Sequence, residues 1–151
     1  MRRTASILGL VLTAGLTIIP LSAQEVLNLK INDLANHPLQ TNGLSITITK
    51  LNGHQRFASI TKWAGRAHVT FTIENKSPSF HAFSPFDLCF VGNDEIQVLP
   101  FYEINSVDDI APIAFRIAPG ARLSTEYVLT GRLKFPAKIY LGDRLVAQVA
   151  E

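Results

Sequence analysis

One stretch, Arg66-Ala67-His68-Val69-Thr70-Phe71-Thr72-Ile73-Glu74-Asn75-Lys76-Ser77, constrains the fold of this chain more than any other. Val69, Phe71 and Ile73 alternate with His68, Thr70, Thr72 and Glu74, so a period of two separates an apolar face from a polar one, as in a half-buried strand. β-Branched and aromatic residues, which pack well on a pleated surface, fill it. Asn75-Lys76-Ser77-Pro78 follows as a polar exit, and Pro78 has no N–H with which to continue a central ladder. The remaining segments read as partners for this strand.

Glu25 to Ile31 alternates well enough to predict a first strand. Asn32 to Asn42 is polar, with Pro38 and Gly43 marking a loop. Leu44, Ile46 and Ile48 against Ser45, Thr47 and Thr49 predict a second strand. From Gly53 to Gly65 the period is lost, and this long loop holds His54, Arg56, Phe57, Lys62 and Trp63. Phe86, Leu88 and Phe90 are expected on one face of a strand, with Asp87, Cys89 and Val91 on the other. Gly92-Asn93-Asp94 is a turn. Ile96 to Tyr102 is an antiparallel partner that Pro100 places at an edge or a bulge. Glu103 to Asp109 is an acidic loop. Ile113, Phe115 and Ile117 lead into Pro119-Gly120, the pair suited to a type II turn. Leu123, Tyr127 and Leu129 mark the next strand, and Ala137, Ile139 and Leu141 run through Gly142-Asp143 into a closing hairpin, Leu145 to Val149. Eight or nine short strands with no helical period predict an all-β, antiparallel two-layer β-sandwich, an architecture preferred at this length to a closed barrel.

At the start of the chain, Arg2 and Arg3 precede an apolar run from Ile7 to Pro20, and Leu21-Ser22-Ala23 offers a small residue before Gln24. This reads as a secretory signal peptide over residues 1–23, since the run is shorter than the roughly 20 residues of a spanning helix. Residues 24–151 are then a single domain, with no repeat and no linker-like run. Cleavage removes two arginines and no acid, so Lys+Arg falls from 14 to 12 against 12 Asp+Glu. The exported chain is formally neutral, which argues against nucleic acid as a partner. It is expected in the periplasm or outside the cell, with no membrane span after cleavage.

The strand Val69-x-Phe71-x-Ile73-x-Asn75, the Ser84-Pro85-Phe86-x-Leu88 segment and the Ile117-Ala118-Pro119-Gly120 turn resemble the telokin-like, immunoglobulin-like domain of bacterial exported proteins and lipoproteins, a domain of unknown function. The likeness covers about Leu44 to Val149. It implies an immunoglobulin-like sandwich and carries no catalytic residues over. Many members bear a lipid-anchoring cysteine near the leader, and its absence here implies a free form.

The chemistry-bearing residues are sparse. His37, His54, His68 and His81 show no i, i+2 or i, i+4 pair that would aim two ligands at one ion. Asp94-Glu95 and Asp108-Asp109 with Glu103 lack the D-x-D-x-D spacing of a calcium loop. No G-x-S-x-G elbow and no P-loop occurs. Cys89, the sole cysteine, is expected as a buried, unreactive thiol between Leu88 and Phe90. Asn75-Lys76-Ser77 fits a glycosylation sequon that Pro78 disfavours. No catalytic residue, metal or cofactor is assigned, and the expectation is a non-enzymatic binding or interaction module of the cell envelope contacting a protein, peptide or glycan. The alternative is a metal carrier or hydrolytic enzyme assembled from loop residues. Phe57 and Trp63 are the candidate ligand contacts. Trp63 also shares the parity of Val69, Phe71 and Ile73, so a central strand running back through Gly65 would point the indole into the core instead.

Overall fold

A computed structural model of the chain describes residues 25–54, 65–103 and 114–151. Among these the chain is all-β. Twelve strands run as β1 (Leu27–Lys30), β2 (Leu39–Thr41), β3 (Leu44–Asn52), β4 (His68–Asn75), β5 (His81–Phe83), β6 (Leu88–Val91), β7 (Gln97–Val98), β8 (Pro100–Glu103), β9 (Phe115–Ile117), β10 (Arg122–Leu129), β11 (Ala137–Leu141) and β12 (Arg144–Ala150). They form two five-stranded sheets, β1-β12-β11-β6-β7 and β2-β3-β4-β10-β8, and a small β5-β9 pair. The apolar faces of the two large sheets meet in one core, the arrangement of a β-sandwich.

The central alternating stretch is β4, paired antiparallel to β3 on one side and β10 on the other. Val69, Phe71 and Ile73 are fully buried. Phe71 stacks on Tyr127 of β10 with centroids 5.4 Å apart and meets the edge of Phe83 at 6.1 Å. Leu88, Phe90, Ile139, Ala147 and Val149 supply the opposing face.

Three bulges account for where simple alternation stops. In β3 the register steps between Ile48 and Lys50, so Thr49 is extra and the buried set passes from Ile46 and Ile48 to Leu51. Val146 plays the same part in β12, where the step opposite Ile139 and Tyr140 leaves Val146 and Ala147 both buried. A third step falls where β10 meets Pro100. Here the expected strand from Ile96 to Tyr102 divides: β7 is an edge of the first sheet and β8 an edge of the second, so the chain crosses between layers at Leu99. Pro100 tolerates this because an edge residue needs no N–H toward solvent.

Other expectations are modified. The first strand is shorter, Leu27–Lys30, and runs parallel to β12, while Ile31–Asn36 is a 3-10 turn. Leu39–Thr41 is a strand inside the expected Asn32 to Asn42 loop, and His81–Phe83 is a strand with no counterpart among the expectations. Phe86 does not share a face with Leu88 and Phe90. Ser84 caps a 3-10 turn, Pro85–Asp87, through Phe86 N to Ser84 Oγ at 3.3 Å and Ser84 N to Asp87 Oδ2 at 3.4 Å, and the turn swings Phe86 outward to 42% exposure. Pro119-Gly120 forms the expected turn, with Gly120 at φ +70° and Ala121 N donating to Ala118 O.

Asn75 closes β4. Its side chain is fully buried, and Nδ2 donates to Ser79 O at 2.7 Å and Ile117 O at 3.0 Å, while Oδ1 accepts from Ser77 N at 3.0 Å and Ser77 Oγ at 2.9 Å. Two donors and two acceptor positions are all that a carboxamide offers, so the group is saturated. The same burial leaves no room for a glycan on this Asn. Asn75→Ala removes these bonds and orphans buried partners, so a loss of about 3 kcal/mol is expected. Urea unfolding should show it as a lower midpoint at unchanged slope.

Candidate functional site

Two tight hairpin turns from opposite sheets meet at one end of the sandwich. Asn42-Gly43 joins β2 to β3 with Thr41 opposite Leu44, and φ values of +41° and +82° make it a type I′ turn. Gly142-Asp143 joins β11 to β12 with Gly142 at φ +62°, the position a II′ turn reserves for glycine. Between the turns lie two adjoining cavities of about 450 and 340 Å³ that share Thr41, Asn42, Leu141 and Asp143. Gln40 and Arg144 line the first, and His81 and Asp87 line the second.

Each wall is tied to another. Lys76 N donates to Gly43 O at 2.9 Å, and Gly142 N donates to Asp87 O at 2.7 Å. Arg144 Nη2 donates to Gln40 O at 3.0 Å, joining β12 of one sheet to β2 of the other. Gln40 Nε2 is turned onto Ser45 Oγ at 3.0 Å. His81 is placed by Phe83, two residues on along β5 and buried to 3% against Phe71. A β-carbon at Gly43 would sit 2.9 Å from Ser77 Cβ and 3.4 Å from His81 Nε2, so the turn packs directly on the β5 wall. The result is a polar groove on a fixed frame, offering an amide, a hydroxyl, an imidazole, two carboxylates and a guanidinium to a ligand.

Of these residues the sequence marks only His81 as chemistry-bearing, and Gly43 and Gly142-Asp143 only as turns. Asn42-Gly43 between Leu39 and Leu44 carries the strongest short hairpin signal there is, and it could have located the first turn. That the second turn lies beside it has no local signal, since Gln40 and Arg144 are 104 positions apart.

The residues that were singled out do not gather at the groove, His81 apart. Phe57, Trp63, Asp108 and Asp109 lie outside the described residues, as does the side chain of Glu103. β4 begins at His68, and Gly65 takes φ +81°, so the strand does not run back through Gly65 and parity says nothing about Trp63. Asp94 and Glu95 face lysines: Lys134 Nζ lies 2.9 Å from Asp94 Oδ2 and Lys138 Nζ 3.7 Å from Glu95 Oε1. The Lys134 contact, helped by the Ile96 amide, holds the Asp94 carboxyl below the usual carboxylate range. His37 and His54 are exposed and His68 is buried. Among the described residues no three His, Cys, Asp or Glu side chains come together in a way that could hold a metal ion.

Cys89 is half-buried rather than buried, because it points away from the core face that carries Leu88 and Phe90. Partial burial still pushes its thiol up from the ordinary value.

No family model matches the chain, and no curated protein does. Among solved structures, the yjhA protein from Bacillus subtilis, a structural genomics target, is similar at a TM-score of 0.47 and 14% identity over 78% of this chain and 84% of that one.

Two outcomes follow from this geometry. Gly43→Ala should lower stability by about 2 kcal/mol in thermal unfolding, combining a left-handed φ with a clash, whereas Gly142→Ala, which meets nothing within 4 Å, should carry only the backbone cost of about 1 kcal/mol. Cys89 in the native protein should react with iodoacetamide more slowly than after denaturation, the gap persisting as the pH rises toward 9, since the raised thiol supplies less thiolate.

Proposed function

We propose that this protein is an exported, non-enzymatic, immunoglobulin-like binding module of the cell envelope, and that the groove between the Asn42-Gly43 and Gly142-Asp143 turns is its ligand contact. The observation that carries the reading is the hydrogen-bonded frame of the groove. Hydrogen bonds tie the β2–β3 turn, the β11–β12 turn and the Pro85–Asp87 turn to the framework, so little ordering would accompany binding. The mixture of polar groups suits a peptide or glycan whose own hydrogen-bonding groups are matched one by one. Export is supported by the arginines and apolar run that precede Gln24, and among the described residues no helix is long and apolar enough to cross a membrane. Kinship with telokin-like domains is part of the proposal, supported by the sandwich, the Asn75 terminus of β4 and the Pro119-Gly120 turn.

The test is a comparison of the wild-type protein with Asn42→Ala/Asp143→Ala on peptide and glycan arrays. Loss of two hydrogen bonds at about 1 kcal/mol each should weaken a groove ligand by roughly thirtyfold. Lys138→Ala, on β11 and outside the groove lining, should bind as wild type. Ligands held equally by the wild type and the double variant would place recognition elsewhere and refute the groove assignment.

A further inference from the structure

The end of β4 away from the groove has a different character. Alternation puts His68 on the outward face with Thr70, Thr72 and Glu74, yet His68 is 4% exposed and Val128, its register partner on β10, is fully buried. One step along the same face Thr70 and Glu126 are partly open. Neither ring nitrogen of His68 has a hydrogen-bond partner among the described residues. A neutral imidazole in such a place leaves one donor and one acceptor unmet. Protonation would add a second unmet donor and a charge, which a buried site opposes strongly.

The charged groups facing His68 among the described residues come from both neighbouring strands. Glu126 on β10 places Oε1 3.9 Å from Nδ1, and Lys50 on β3 acts from the other side. Register explains both: Glu126 and Lys50 each sit opposite Thr70, so each is a diagonal neighbour of His68 across its strand pair. Burial is the largest influence and lowers the ring's proton affinity; Glu126 raises it and Lys50 lowers it further.

We propose that His68 is an acid-operated latch: neutral, it closes the His68–Val128 corner, and protonated, it swings toward Glu126 and water, opening the adjoining ends of β4 and β10 while the rest of both sheets stays folded. The sign follows from proton linkage. The open form holds an ordinary imidazole and binds a proton more readily than the closed form, so closure is fully favoured above about pH 6.5 and is lost as the pH falls below that value. Ala67 and Leu129 report on the corner, because Leu129 N donates to Ala67 O at 2.8 Å and Ala67 N to Gly131 O at 2.8 Å.

Amide hydrogen exchange of the whole protein between pH 8 and pH 5, corrected for the intrinsic rate, tests this. The opening constant at Ala67 and Leu129 should rise up to about tenfold per pH unit below 6.5, while the β11 and β12 amides keep their protection. In His68→Phe the rise should vanish, and in Glu126→Gln, where the closed ring loses the carboxylate that favours its charge, it should start at the same pH and continue to lower pH. Flat exchange in the wild type, the same acid response in His68→Phe, or loss of protection throughout both sheets at once would overturn the latch. If His68→Phe does not fold, the NMR titration of the His68 ring in wild type and Glu126→Gln decides. A closed-state ring that titrates at the ordinary imidazole value, or is indifferent to Glu126, also ends the proposal.

Discussion

The carboxamide of Asn75 joins three pieces of chain: the end of β4, the Lys76 to Ser79 loop, and the Ile117 to Ala121 passage from β9 into β10. A buried amide with every bond made costs little, whereas one with half of them made is expensive, so these pieces take their places together. The backbone of the same residue repeats the tie, donating to Ala121 O and accepting from Gly120 N. The groove depends on this arrangement. With Ser77 fixed by Asn75, Lys76 N reaches Gly43 O and Ser77 Cβ fills the space against the Gly43 turn.

Packing beneath the groove extends the dependence into the core. Phe71 touches both Tyr127 from its own sheet and Phe83 from β5, and burial of Phe83 orients His81 two residues earlier. The small β5-β9 pair is thereby anchored to the sandwich although it shares no ladder with either large sheet. On its outer side Phe80 stays 53% exposed beneath the Arg116 guanidinium, 4.4 Å from the ring centroid. That contact covers apolar surface with a well-solvated cation and adds little to stability.

The two ends of β4 thus carry opposite chemistry. At the Asn75 end polar groups are either saturated by the fold or exposed in the groove, and at the His68 end both ring nitrogens of His68 are buried with no hydrogen-bond partner among the described residues. Rigid sheets carrying distinct local environments at their ends are a common way for a sandwich to present function.

What the sequence by itself determined was whatever a few neighbouring residues decide. Alternation at Val69-Phe71-Ile73 and at Ala137-Ile139-Leu141 specified core-facing strands, and Pro119-Gly120 and Gly142-Asp143 specified turns, because period-two burial and positive φ are properties of adjacent positions. Even the failed placement of Phe86 was local, since the Ser84-Pro85 cap outranks a one-in-two pattern there. Tertiary structure alone decided the rest. The bulges at Thr49 and Val146 arise from fitting one strand to another. Whether Ile96 to Tyr102 is one strand or two depends on which sheet each half finds, and whether His68 is wet depends on what closes over its end of the sheet. The groove needs turns brought together from positions 42 and 142, and no property of either turn encodes the meeting, because it is set by the stacking of the two sheets that carry them.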